Sequence, residues 1–416
     1  MQCVLLFKIG CDIMRTKGVD RMNFDALKNC LDHIVKDYKA PGIDCVVYQN
    51  HKEIFRYYTG YSDLESGKRM QGDELYLIFS MSKMITCTAA LQLFEQGKYL
   101  LSDPISKYMP EFENMKVYVN DFDVKEGLAI TSGKGGSNSQ DNGGDIVDAK
   151  NKITVKDLFT MAGGLDYAVK DQAISTAIAE GKKTTREIVG AMSNKVLGFE
   201  PGTRFRYSLC HDVLGALIEI WSGESLGEYI ENHICKPLGM EDTFFGLPKD
   251  DARMERMAGL YSLNDQGEII KLPLGNEFKI SEEYESGGAG LVSCVKDYSL
   301  FLDALACKGV GKNGNRILSP ATIELMGTNH MKGKQCEDFY NLRPGYGYGL
   351  GVRTHVDKTV SGSLSPIGEF GWDGAAGAFS MVDTKNSLSL TYFQHQKWWD
   401  VRMQTEMRNA LYSCLE

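Results

Sequence analysis

The chain has 416 residues, 43% of them hydrophobic and 24% charged, with a net charge of −9. That length calls for one composite domain or two, and the balance excludes a disordered or fibrous chain. No uncharged apolar run reaches the length of a membrane-spanning helix, and the acidic surface would be repelled by phosphate backbones, so neither a membrane span nor a nucleic-acid partner is expected.

The first 14 residues carry a short apolar stretch broken by Lys8 and Asp12 with no basic region before it, which does not read as a secretion signal. From Asn23 the apolar positions Phe24, Leu27, Leu31, Ile34 and Val35 recur at helical spacing, and Pro41-Gly42 ends the run. Ile43–Tyr48 and Ile54–Thr59 are β-rich runs around the polar Gln49–Lys52, the pattern of a hairpin. A helix is predicted over Ser80–Gln96, closed by Gly97. The polar, glycine-rich Ser132–Asp145 reads as a loop or lid, and helical patterns dominate Val155–Ile234. Strand-like runs return in Gly349–Thr354, Ala378–Val382 and Leu388–Gln394, and an amphipathic helix covers Trp399–Tyr412. Strands at both ends with helices between predict one α/β (α+β) sheet domain from residues 1–75 and 280–416, with a mainly helical insertion at 76–279.

Eleven cysteines stand singly, odd in number and without a CxxC, which fits reduced thiols in a cytoplasmic protein. No Cys or His pair has ligand spacing and no nucleotide loop appears, so no metal and no cofactor is expected; Gly345–Gly351 is glycine-rich but lacks the Lys-Ser/Thr of a phosphate loop.

Ser80-Met81-Ser82-Lys83 opens the predicted helix. A serine there is close to free backbone N–H groups and the positive dipole end, and Lys83 follows three residues on, on the same face. This Ser-x-x-Lys pattern serves acyl transfer, yet Ser293-Cys294-Val295-Lys296 repeats it, so alone it carries little. Tyr207, in Arg206-Tyr207-Ser208 before a helix predicted over Asp212–Trp221, sits where a phenol can enter a cleft. Near a lysine its pKa would fall and it could serve as a general base. Glu369–Gly377 then leads glycine-rich into a strand, where a ligand can approach the backbone and a strand N–H can complete an oxyanion hole. A Cys210–His211 nucleophile pair is disfavoured because helix neighbours diverge, His395 is a lesser candidate for the cleft wall, and the absence of Gly-x-Ser-x-Gly excludes an α/β-hydrolase elbow.

Taken together, these elements resemble the serine-hydrolase family of class C β-lactamases, penicillin-binding DD-peptidases and related esterases, over nearly the whole chain from Asn23. Pro104–Pro110, Leu158–Leu165, Pro237–Met240 and Gly287–Leu291 add to the match. The resemblance implies a β-lactamase-like fold and a covalent acyl-enzyme on Ser80, with Lys83 and Tyr207 moving the proton and the Ser80 and Ala375 N–H groups holding the oxyanion. Two departures point to its esterase and transesterase branch. Leu209 stands where the penicillin-recognising enzymes have an asparagine, and Trp372-Asp373-Gly374 replaces their basic strand triplet, where Asp373 would repel a substrate carboxylate. Leu209, Trp372, Asp373 and Gly374 are therefore expected to shape the pocket for a small-molecule ester or acyl substrate. The alternatives are a β-lactamase or DD-peptidase and, in another class, a catalytically silent ligand-binding relative. Oligomeric state is left open.

Overall fold

The computed structural model describes residues 22–119, 144–247, 252–397 and 399–415. An eight-stranded antiparallel sheet runs in the order Tyr346–Tyr348, Arg353–His355, Phe370–Gly371, Phe379–Asp383, Leu388–Gln394, Gly42–Gln49, Lys52–Asp63, Lys68–Arg69. The two ends of the chain meet at its centre, where Gly42–Gln49 pairs with Leu388–Gln394 from Ile43 opposite Gln394 to Gln49 opposite Leu388.

Alternation along the central strands sends side chains to opposite faces. Ile43, Cys45 and Val47, with Leu390 and Tyr392, pack under the first helix (Asp25–Asp37) and the last (Arg402–Ser413), against Leu27, Leu31, Ile34, Met403, Met407 and Leu411. Val46, Tyr48 and Phe393 face the main core, which includes Phe301 and Leu302 of the helix Val295–Ala306. A central strand covered on both faces explains the nearly unbroken apolar run at Ile43–Tyr48.

Between the sheet-forming ends lie Ser82–Glu95, buried along 11 of its 14 residues, and the helices Val155–Phe159, Gln172–Ala179, Thr185–Ala191 and Cys210–Ser222. Thr154 and Thr184 start two of these with capping boxes, and Gly223 ends Cys210–Ser222 in the left-handed conformation. A small antiparallel sheet of Tyr76–Leu77, Leu291–Ser293 and Phe244–Phe245 leads directly into Ser80.

Two expected elements differ. The expected strand Gly349–Thr354 is mostly the turn between two strands, Tyr346–Tyr348 and Arg353–His355, because Gly351 (φ 83°) turns the chain against Cys87, where no side chain fits. The helix predicted from Ser80 begins at Ser82, because Phe79 adopts φ 45° and Phe79–Met81 forms a 3-10 turn. Residues 132–143 of the expected loop lie outside the described residues.

Candidate active site

Left-handed backbone at a phenylalanine costs on the order of 1–3 kcal/mol and persists only where the surroundings over-determine it. Phe79 is locked by complete burial among Leu75, Leu77, Leu260, Val292 and Ala376. The strain sets Ser80 at the mouth of the helix Ser82–Glu95, partly exposed, with Lys83 one turn on.

Lys83 is wholly buried. Its Nζ lies 3.2 Å from Ser80 Oγ, donates to the Gly288 carbonyl at 2.6 Å and lies 2.9 Å from Tyr167 Oη. Burial pulls its pKa down to about 7, against the opposing pull of Asp212. A neutral amine has two N–H donors and one lone pair. With Gly288 and Tyr167 taking the donors of the neutral form, its lone pair would be free to accept from the Ser80 hydroxyl, to which the ammonium donates. The Tyr207 and Tyr167 rings lie 4.6 and 5.2 Å from Nζ, so their faces stabilise the ammonium once it forms.

Asp212 stands behind this amine. It is buried, and its Oδ1 accepts from Ser286 Oγ at 2.6 Å and Tyr284 Oη at 2.9 Å. A side chain on Gly288 would place its Cβ 2.6 Å from Asp212 Oδ2 and 3.4 Å from Lys83 Nζ, so glycine alone lets both groups approach this backbone.

Tyr207 is held by aromatic stacking, its ring 5.3 Å from Tyr167 and 5.6 Å from Trp372. The Trp372 indole N–H donates to its hydroxyl at 3.1 Å. Here the sequence expectation needs correcting: burial pushes the phenol above its ordinary range, outweighing the hydrogen bonds that favour the phenolate. Tyr207 therefore keeps its phenol proton near neutral pH, the opposite of the fall expected beside a lysine. Lys83 meets the face of Tyr207, while the hydroxyl beside Nζ belongs to Tyr167, a residue sequence reasoning missed. Its signal was the Gly163-Gly164-Leu165-Asp166-Tyr167 run, where Gly164 (φ 83°) turns the chain and the phenol follows.

Residues Gly374–Gly377 form a turn that leads into the strand Phe379–Asp383: Gly374 N–H donates to the Ala378 carbonyl and Gly377 N–H to that of Gly374. A Cβ on Gly374 would lie 2.6 Å from the Ile78 carbonyl oxygen, which shows how closely this turn presses on the backbone before Ser80. Among the described residues, the N–H groups of Ser80 and Ala375 donate to no intramolecular acceptor, so both stay available to an oxyanion.

The four expected pocket residues are buried. Leu209 is 1% exposed in the core at the start of Cys210–Ser222 and presents almost no surface to a substrate. Trp372 contacts Tyr207, and Gly374 packs against the Ile78 backbone. Asp373 does not act as a free anion, because Arg343 Nη2 at 2.9 Å and Gln404 Nε2 at 3.0 Å both donate to its Oδ2. The expected repulsion of a substrate carboxylate therefore fails.

Other candidates are structural. His211 is buried near Cys87 and the Phe159 carbonyl, with its pKa pulled down to about 3, while Cys210 receives a hydrogen bond from Ser208. His395 is buried against the Ala258 carbonyl. In the second Ser-x-x-Lys, Ser293 is buried against Thr243 and Lys296 lies on the surface near Glu241.

The family model described as Beta-lactamase matches residues 27–411. Protein Rv1367c of Mycobacterium tuberculosis is 30% identical over 387 residues, covering 90% of each chain. Esterase EstB of Burkholderia gladioli is 24% identical over 409 residues, covering 92% of this chain and 93% of EstB. Among solved structures, EstCE1, titled a hydrolase with promiscuous acyltransferase activity, superposes with a TM-score of 0.73 at 23% identity over 93% of this chain and 97% of its own.

Proposed function

Because the chain belongs to the Beta-lactamase family, we propose that it is a serine hydrolase or acyltransferase acting on carboxylic esters through a covalent acyl-enzyme on Ser80. The observation that carries this reading is the buried Lys83 amine, 3.2 Å from Ser80 Oγ and brought to about pKa 7. Ser80 Oγ attacks the ester carbonyl as its proton passes to Lys83, and the Ser80 and Ala375 N–H groups hold the oxyanion. When the tetrahedral adduct collapses, the leaving alkoxide takes a proton from the site, with the Tyr207 phenol as donor and Lys83 as reservoir. Water or an alcohol then repeats the sequence in reverse and releases the acyl group as acid or new ester.

The esterase activity named for EstB and the hydrolase and acyltransferase activities named for EstCE1 support this class. The pairing of Asp373 with Arg343 supports a pocket with no free anion or cation from this pair. A reducing compartment such as the cytoplasm suits the nine free thiols of the described residues. Intact mass after brief mixing with a short-chain p-nitrophenyl ester tests the reading: an acyl adduct is expected, absent in Ser80→Ala. Turnover that persists in Ser80→Ala would falsify it. Acylation by a β-lactam but not by the ester would transfer it to the penicillin-recognising branch.

A further inference from the structure

Away from the Ser80 site, the tip of the central hairpin meets the end of the helix Val295–Ala306, and three unlike donors converge there. His51, Asp303 and Cys307 each offer one ligand atom, and these atoms all lie within 4.8 Å of one another. His51 Nδ1 is 2.8 Å from Asp303 Oδ2, and Asp303 Oδ1 accepts from the His51 backbone N–H at 3.2 Å and from the Cys307 thiol at 3.7 Å.

Two features distinguish this cluster from a capped turn. The hairpin turn has φ 49° at Asn50 and 64° at His51. A two-residue turn with both angles positive favours glycine in the second place, so a histidine there is held at a steric cost that its side chain must offset. The Asp303 side chain is completely buried, and among the described residues its one ion-pair partner is the half-buried His51.

We propose that His51, Asp303 and Cys307 bind a zinc-type divalent cation, with water in the fourth position. One nitrogen, one oxygen and one sulfur form a borderline-soft set that suits Zn2+ over Mg2+ or Ca2+. Tetrahedral zinc with bonds of about 2.0–2.3 Å holds its ligand atoms about 3–4 Å apart, a small adjustment from the spacing here. His51 and Cys307 are both partly exposed, which gives the ion an entry path, and the thiol proton leaves to solvent as the metal–sulfur bond forms. The bound ion would tie the hairpin to the helix. Sequence spacing hides the site because His51 and Asp303 stand 252 positions apart.

The test is calorimetric titration of Zn2+ into metal-free full-length protein under reducing conditions, with Co2+ as a spectroscopic substitute. One equivalent per chain is expected, with a thiolate-to-cobalt charge-transfer band and a higher melting temperature with zinc. Cys307→Ser should abolish the band, and both Cys307→Ser and His51→Gln should weaken Zn2+ binding at least tenfold while ester turnover of the metal-free protein stays unchanged. Failure of the parent protein to bind Zn2+ would overturn the proposal. So would binding undiminished in both variants, which would assign the metal to other thiols.

Discussion

The Trp372 indole N–H donates to the Tyr207 hydroxyl across 3.1 Å, with the two rings stacked at 25°. A phenol oxygen that already accepts from an indole directs its own proton elsewhere, and burial keeps that proton on. Trp372→Phe keeps the stack and removes the donor. A lost neutral hydrogen bond is worth about 1 kcal/mol, so we expect kcat to fall roughly fivefold with KM little changed. Steady-state kinetics on a p-nitrophenyl ester checks this, and an unchanged kcat would mean that the indole merely fills space.

The Lys83 amine accepts a proton only in its neutral form. With its pKa at about 7, acylation should rise with pH through that region and fall about tenfold per unit on the acid side. Asp212 is the foremost group holding this pKa up. Asp212→Asn removes that negative charge, so the ammonium becomes less stable and the acid limb of kcat/KM moves to lower pH. A limb that stays in place or moves upward contradicts the assignment of the base.

Tyr167 Oη lies 2.9 Å from the same nitrogen. Tyr167→Phe leaves one polar contact of the amine unmade while the stack against Tyr207 is retained. We expect kcat to drop about 10- to 100-fold, matching the about 1.5–3 kcal/mol of a hydrogen bond to a group that becomes charged, with little change in melting temperature. Equal losses of stability and activity would instead make Tyr167 a packing residue.

What could be read from the sequence follows from how local each feature is. Ser80 and Lys83 stand one helical turn apart, so their proximity follows from spacing alone, and the apolar run at Ile43–Tyr48 identified a strand without reference to its partners. Tyr167 and Lys83 are 84 positions apart and meet only through the fold, and tyrosine is too common a residue to mark its own role. The titration of Tyr207 was expected with the wrong sign because a nearby cation is visible in a sequence pattern while desolvation is not. Asp373 was misread for the same reason. Its charge was plain, but Arg343 and Gln404, 30 and 31 positions away, were not identifiable as its partners.

Gly374 belongs to the turn that carries Ala375, the second proposed oxyanion donor. A methyl group there would meet the Ile78 carbonyl at 2.6 Å, and both atoms belong to backbone that cannot rotate away. Gly374→Ala should displace the turn at a cost of about 1–3 kcal/mol, and kcat should fall at least tenfold because an oxyanion donor leaves its position. Affinity for a ground-state product alcohol should change far less than kcat. A variant with wild-type kcat would place the second oxyanion donor elsewhere.

The Asp373–Arg343 pair separates a wall from a substrate contact. Both side chains are about nine-tenths buried, and removing one partner of such a pair leaves an uncompensated charge at a cost of about 3–5 kcal/mol. Arg343→Met should therefore lower the melting temperature by several degrees. The double variant Arg343→Met/Asp373→Asn should recover most of that loss, because an amide opposite a thioether leaves no buried charge. If Asp373 contacted substrate, Asp373→Asn alone would alter KM for esters with a nearby carboxylate and leave the melting temperature in place. The hydrogen bonds from Arg343 and Gln404 require the opposite: a stability change coupled to residue 343, and the same preference between neutral and anionic esters in Asp373→Asn as in the parent, with thermal unfolding and paired-substrate kinetics on all three variants deciding between them.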